Sequence, residues 1–143
     1  MALVIDETIE IDAPAATVWE VLTDFDRYGE WNSFCYEASS TLEPGSTIDM
    51  RVLLGGNRRP QREWIRTHTP GVEFSYAMKP LPLGALHSLR SHTVVPLGPD
   101  RCRYESRFTL AGPLSPVVAF ALGKHLRAGF AAMTAGVGSR ATA

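Results

Sequence analysis

The sequence predicts an α+β fold, an antiparallel sheet of about seven strands curved around one long C-terminal helix. Two observations carry this. Runs of period-two alternation recur through the chain with turn signals between them, and two short helical segments interrupt them only after the first run. The C-terminal segment instead carries apolar residues at steps of three and four, the spacing of a single buried helical face.

The elements follow in order. Val4 to Ile11 alternates with Ile5, Ile9 and Ile11 on one side and reads as a half-buried strand. Ala13-Pro14 stops it, and proline is tolerated at a helix start. Ala15 to Thr23 sets Val18, Trp19, Val21 and Leu22 at helical spacing, and a second helical turn from Asp24 through Tyr28 ends near Trp31-Asn32. Phe34 to Thr41 is the next strand, and Glu43-Pro44-Gly45-Ser46 turns the chain. Ile48, Met50, Val52 and Leu54 then alternate with Thr47, Asp49, Arg51 and Leu53. Gly55-Gly56-Asn57 accepts the positive φ of a hairpin, and Gln61 to Thr69 returns. After Thr69-Pro70-Gly71 a strand places Val72, Phe74, Tyr76 and Met78 on one face. Pro80, Pro82 and Gly84 interrupt it, Ala85 to Val95 is another strand, Pro96 to Asp100 a turn, and Arg101 to Ala111 the last strand. Gly112-Pro113-Leu114 opens a helix from about Ser115 to Val137 with the stripe Val118, Leu122, Leu126, Phe130, Met133 and Val137.

The 143 residues suit one domain, spanning 1–143, and no repeat or linker divides them. With 45% hydrophobic and 20% charged residues the chain has the balance of a globule, not of a disordered segment. No apolar run approaches the roughly 20 residues of a membrane span. The acidic, alternating N-terminus lacks the basic and apolar regions of a secretory signal, so a cytoplasmic location is expected. Cys35 and Cys102 are expected as free thiols.

Fourteen basic and fifteen acidic side chains give a net charge of −1, which argues against a nucleic-acid partner. The charges are unevenly placed: residues 1–43 hold ten acids and one base, the remainder five acids and thirteen bases. Arg58, Arg59, Arg62 and Arg66 crowd one hairpin, either as a solvated face or as a rim attracting an anionic ligand. His87 and His92 fall on opposite faces of their strand, and His68 and His125 have no ligand-spaced neighbours, so no metal site is expected. Gly55-Gly56 lacks the helix and Lys-Ser/Thr of a phosphate loop, and no dinucleotide fingerprint is present, so no cofactor is expected.

The segment Ile9-Glu10-Ile11-Asp12-Ala13-Pro14, followed by Val18-Trp19, Leu22, Asp24, Tyr28 and Trp31, resembles the START-like, or Bet v 1-like (SRPBCC), superfamily. Phe108, Leu110, Gly112, Pro113 and Leu114 ahead of the long helix carry the same likeness. Within that superfamily the chain resembles the small bacterial polyketide cyclase/dehydrase-like and lipid-transport-like proteins. The resemblance covers essentially the whole chain and implies a helix-grip fold enclosing a cavity. It implies fold more than activity, because its residues mainly pack, turn and cap.

What the resemblance implies about the site is an apolar cavity lined by Ile48, Met50, Val52, Phe74, Tyr76, Met78, Leu122, Leu126, Phe130 and Met133, with Trp31 at either its mouth or the core. The alternative is that these side chains simply fill a core. The strand from Ala85 to Val95 has no cleanly apolar face, so its period does not orient it. The resemblance turns Arg90 and His92 inward; the opposite phase would bring in His87 and Leu89. Tyr104 and Ser106 would add hydroxyls from the last strand. Arg90, His92 and Tyr104 are the candidates for catalysis. Two functions follow: carriage of a hydrophobic small molecule such as a lipid, sterol or polyketide-like compound, or a polyketide cyclase/dehydratase-like enzyme that moves a proton. A partner-binding accessory role is a third. The separating feature would be an acid/base pair facing the cavity, and because no firmly inward carboxylate is read from the sequence, binding stands ahead.

Overall fold

A computed structural model describes residues 2–143. Strand β1 (Ala2–Ile11) leads into α1 (Ala15–Thr23) and a 3-10 turn (Phe25–Glu30). Strands β2 (Cys35–Ser40), β3 (Thr47–Leu54), β4 (Asn57–Thr69), β5 (Glu73–Ala77), β6 (His87–Gly98) and β7 (Arg101–Ala111) follow, and α2 (Ser115–Ala141) ends the chain. All neighbours are antiparallel, in the order β1-β7-β6-β5-β4-β3-β2. The sheet curves around α2, giving the α+β, helix-grip architecture.

Local chemistry explains the boundaries. Gly55 and Gly56, at φ 60° and 83°, close the β3–β4 hairpin as a two-residue turn whose twist matches the strands. The acidic first third and the basic remainder meet across the sheet, because β1 pairs with β7: Arg107 binds Asp6 at 3.1 Å and Arg101 binds Glu10 at 3.1 Å. Such exposed pairs each contribute roughly 0–1 kcal/mol. No helix among the described residues is long and apolar enough to cross a membrane.

Several boundaries differ from the sequence expectation. Strand β6 starts at His87 and continues through Pro96 to Gly98, with a register shift between Pro96 and Gly98 where proline has no N–H to give. Val72 is exposed rather than inward, because it lies in the turn ahead of β5. Helix α2 runs past Val137 to Ala141. Its stripe is uneven: Phe130, Met133 and Val137 are buried, but Val118, Leu122 and Leu126 are only half-buried.

One mismatch shapes the site. Strand β5 is short, and its last pair with β4 is Ala77 to Trp64, so Asn57–Glu63 pair only with β3. The chain leaves β5 through the Pro82–Gly84 turn, opening the sheet between β4 and the start of β6. Pro60 and the arginines along this stretch of β4 suit an edge without a neighbour.

Candidate functional site

A cavity of about 190 Å³ lies between the curved sheet and the first half of α2. Both banks of the β4/β6 opening line it: Arg59, Gln61 and Glu63 on one side, Met78, Leu86 and Ser88 on the other. The rest of its wall is mostly apolar, with Phe34, Met50, Val52 and Leu54 from the far strands and Val118, Leu122, Leu126 and Phe130 from α2.

Of the residues expected to line it, Met50, Val52, Tyr76, Met78, Arg90, Leu122, Leu126, Phe130 and Met133 do. Others do not. Ile48 and Phe74 are inward but sealed in the core, where Phe74 meets the rings of Trp19, Phe25, Tyr76 and His92. Trp31 packs edge-on to Tyr28 and against Gly136 of α2, away from the cavity wall. His92, Tyr104 and Ser106 are inward and buried, yet they stand behind the wall instead of in it.

Strand β6 thus takes the phase that turns Arg90 and His92 inward, with His87 and Leu89 exposed. The two inward residues have different surroundings. His92 is 0% exposed, with Nε2 3.1 Å from the Tyr76 hydroxyl and Nδ1 2.6 Å from that of Tyr104. Burial, reinforced by the Arg90 charge, holds its pKa well below the ordinary histidine value. The imidazole is neutral, so one nitrogen donates and the other accepts, and both bonds are met within the protein. His92 is therefore a core group that hydrogen-bonds Tyr76 from behind the cavity wall. Burial also raises the Tyr76 phenol and pushes Tyr104 up to about 12, which keeps both hydroxyls protonated.

Arg90 is 5% exposed. One terminal nitrogen donates to the Ser106 hydroxyl at 2.9 Å, the other reaches the Met133 sulfur at 3.5 Å, and the guanidinium stacks 4.0 Å from the Phe130 ring centre. No carboxylate among the described residues forms an ion pair with it. A guanidinium carries five N–H donors, so this buried cation retains capacity for an oxygen from the cavity.

Glu63 supplies an inward carboxylate that the sequence expectation lacks. Its side chain lines the cavity and accepts from Gln61 Nε2 at 3.1 Å. Burial raises its pKa above the ordinary value, opposed by the Gln61 hydrogen bond and by the Arg90 charge. The signal was in the alternation, since Ile65 must face inward and Gln61 and Glu63 share its phase. Cys35 also lines the cavity, but burial pushes its thiol up to about 12, which leaves it un-ionised at neutral pH. Among the described residues no group of three or more His, Cys, Asp and Glu side chains could hold a metal ion.

With this geometry in place, residues 2–138 match the family described as Polyketide cyclase / dehydrase and lipid transport. The chain belongs to that family. Solved structures share its fold. The Zhui aromatase/cyclase of Streptomyces sp. R1128 superposes with a TM-score of 0.79 at 17% identity, over 99% of this chain and 94% of that one. A START superfamily protein from Mycobacterium smegmatis gives 0.63 at 17% identity, over 89% and 93%. Norcoclaurine synthase from Thalictrum flavum, in complex with dopamine and hydroxybenzaldehyde, gives 0.70 at 18% identity, over 97% and 86%. These likenesses concern the fold. No curated protein matches the sequence.

Proposed function

We propose that this protein binds a small hydrophobic molecule inside the helix-grip cavity and fixes it through one oxygen substituent. The observation that supports this most directly is Arg90, a buried guanidinium facing an apolar cavity without a carboxylate partner. An unpaired buried charge is costly, and a ligand carbonyl, phenolate or carboxylate oxygen would offset that cost. The volume bears on ligand size. Benzene occupies an apolar cavity of roughly 150 Å³, so about 190 Å³ suits one or two rings. A sterol or long acyl chain would need the first half of α2 to move aside.

The second reading, an enzyme of the polyketide cyclase/dehydratase kind, is favoured by one specific observation: Glu63 supplies the carboxylate in the cavity wall. Catalysis by His92 or Tyr104 in direct contact with substrate finds no support, since neither lines the cavity.

The binding reading is tested with naphthalene and 2-naphthol displacing an apolar fluorescent probe. Arg90→Met retains most of the stem and deletes the donors. It is expected to weaken 2-naphthol by a charge-assisted hydrogen bond, about 1.5–3 kcal/mol, and to leave naphthalene nearly unchanged. Equal affinities of the variant and the parent for 2-naphthol would refute the role of Arg90. A folded protein that binds neither compound nor the probe would refute the cavity as a ligand site.

A further inference from the structure

Resting on the cavity-binding reading above, we propose that Glu63 is the proton-transferring residue of this site and that the ligands it acts on are small cyclic or aryl ketones with an enolisable C–H. Four observations converge on this residue. Among the described residues lining the cavity, Glu63 is the only Asp or Glu. It projects from the stretch of β4 that pairs only with β3, at the opening opposite Ser88 and Met78. Gln61 holds its Oε2 at 3.1 Å, whereas Oε1 makes no hydrogen bond to the described residues. Finally, Arg90 lines the same cavity and forms no ion pair with Glu63, so the two groups stand apart on the wall they share.

That separation selects the ligand class. An Arg–Glu pair in contact would neutralise itself and leave nothing for a ligand. Held apart, the two present a cationic donor and an anionic acceptor to one bound molecule. A ligand carboxylate would satisfy Arg90 and be repelled by Glu63. A neutral carbonyl with an adjacent acidic C–H satisfies both, its oxygen on the guanidinium and its C–H toward Oε1.

The step balances without a co-reactant. Glu63 Oε1 takes the α-hydrogen as a proton, and the C–H electron pair becomes the carbon–carbon double bond of an enolate. The carbonyl π pair moves onto oxygen, where the Arg90 N–H donors hold it. Return of a proton from Glu63 to the carbon restores the ketone, and if Glu63 has exchanged with solvent meanwhile, the α-hydrogen is replaced. The other groups of the site are poor bases. The Cys35 and Tyr76 protons are held by burial, and His92 is enclosed between Tyr76 and Tyr104. A carboxyl with a raised pKa is also a better base than an exposed one, closer to the operating pH.

The experiment uses 2-tetralone, a two-ring ketone, incubated with the full chain in D₂O while NMR follows loss of the α-proton signals. Wild-type protein is expected to exchange the α-protons faster than buffer. Glu63→Gln, nearly isosteric, is expected to lower the protein-dependent rate about 10²–10⁴-fold and to keep 2-tetralone affinity within a few-fold. Glu63→Asp, which retains a carboxylate, is expected to restore part of the rate and guards against a folding defect in the first variant. Exchange at the wild-type rate in a folded Glu63→Gln protein overturns the proposal, as does bound 2-tetralone that exchanges no faster than in buffer. If naphthalene binds and 2-tetralone does not, the binding reading stands and the ketone assignment falls. If neither binds, both fall.

Discussion

From Gly129 onward α2 is held close to its neighbours, with only Phe130 and Met133 reaching the cavity wall, whereas from Ser115 to Leu126 it roofs the cavity. In the second half, a β-carbon on Gly129 would meet the Phe34 ring at 2.3 Å and one on Gly136 would meet the Trp31 carbonyl oxygen at 2.9 Å, so only glycine permits these approaches. Thr134 donates to Glu7 of β1 at 2.5 Å, and Arg140 binds Glu30 at 2.7 Å. In the first half, a β-carbon on Gly123 would meet nothing within 4 Å. Val118, Leu122 and Leu126 are half-buried there, and their inner sides face the cavity. The lesson is that one helix serves two purposes. Close packing at one end anchors it, and that anchoring allows its other end to stand off from the sheet and leave room for a ligand.

The largest effect should come from placing the same charge in each half. Val137 is 0% exposed, and Val137→Asp puts a carboxylate there with no partner. It is expected to destabilise the protein by about 3–5 kcal/mol. Leu122→Asp, half-buried beside the cavity, keeps access to water and is expected to cost about 1 kcal/mol or less while abolishing binding of an apolar probe. Urea denaturation of both variants reads the difference. Equal losses would mean that the two halves are packed alike and that the contrast is wrong.

The same contrast divides what was legible in the sequence from what was not. The closed end was readable because its determinants are local: Ile5, Ile9 and Ile11 at period two, and Phe130, Met133 and Val137 at helical spacing, each specify a face without reference to anything else. The cavity wall was readable only in part. It depends on where strands end, and the loss of β5 after Ala77 leaves no periodic mark, so periodicity alone does not single out Gln61 and Glu63 and does not separate Ile48 and Phe74 from the wall. Arg90 and His92 share a strand and a phase, yet one lines the cavity and the other sits behind Tyr76. Sequence spacing gives the face of a strand, but not how deep along that face a cavity reaches.

A smaller effect tests whether the closed end excludes charge. The folded pKa of His92 lies well below its ordinary value of 6.5, so an unfolded chain binds a proton that the folded protein refuses. The resulting stability is fully present above about 6.5 and is lost as pH falls through the folded pKa, with a slope of about 1.4 kcal/mol per pH unit between the two. Glu63 acts in the opposite sense. Its raised carboxyl contributes stability at low pH that is lost as pH rises through its folded pKa. His92→Phe leaves the Tyr76 hydroxyl without its partner, while Tyr104 keeps Ser106, and is expected to cost about 1–3 kcal/mol at neutral pH. The same variant should lack the His92 part of the acid slope. Subtracting the stability curves of the two proteins from pH 7 to pH 5 cancels the groups they share. A difference curve that stays flat would show that water reaches His92.

The smallest effect belongs on the outer side of α2, where the first half of the helix turns to solvent. Phe120 is 95% exposed and Val117, one turn before it, is 64% exposed. Phe120→Ser removes a large apolar side chain that contacts almost nothing, and serine and phenylalanine have similar helix propensities. The expected change in stability is therefore within about 0.5 kcal/mol, with probe affinity unchanged because Phe120 is absent from the cavity wall. Thermal denaturation at two protein concentrations checks this. A loss above about 1 kcal/mol would mean that something covers Phe120 in solution. If that loss also vanished on dilution, the cover would be a second copy of the chain, and the open half of α2 would owe its position to an interface instead of to the anchoring of its other end.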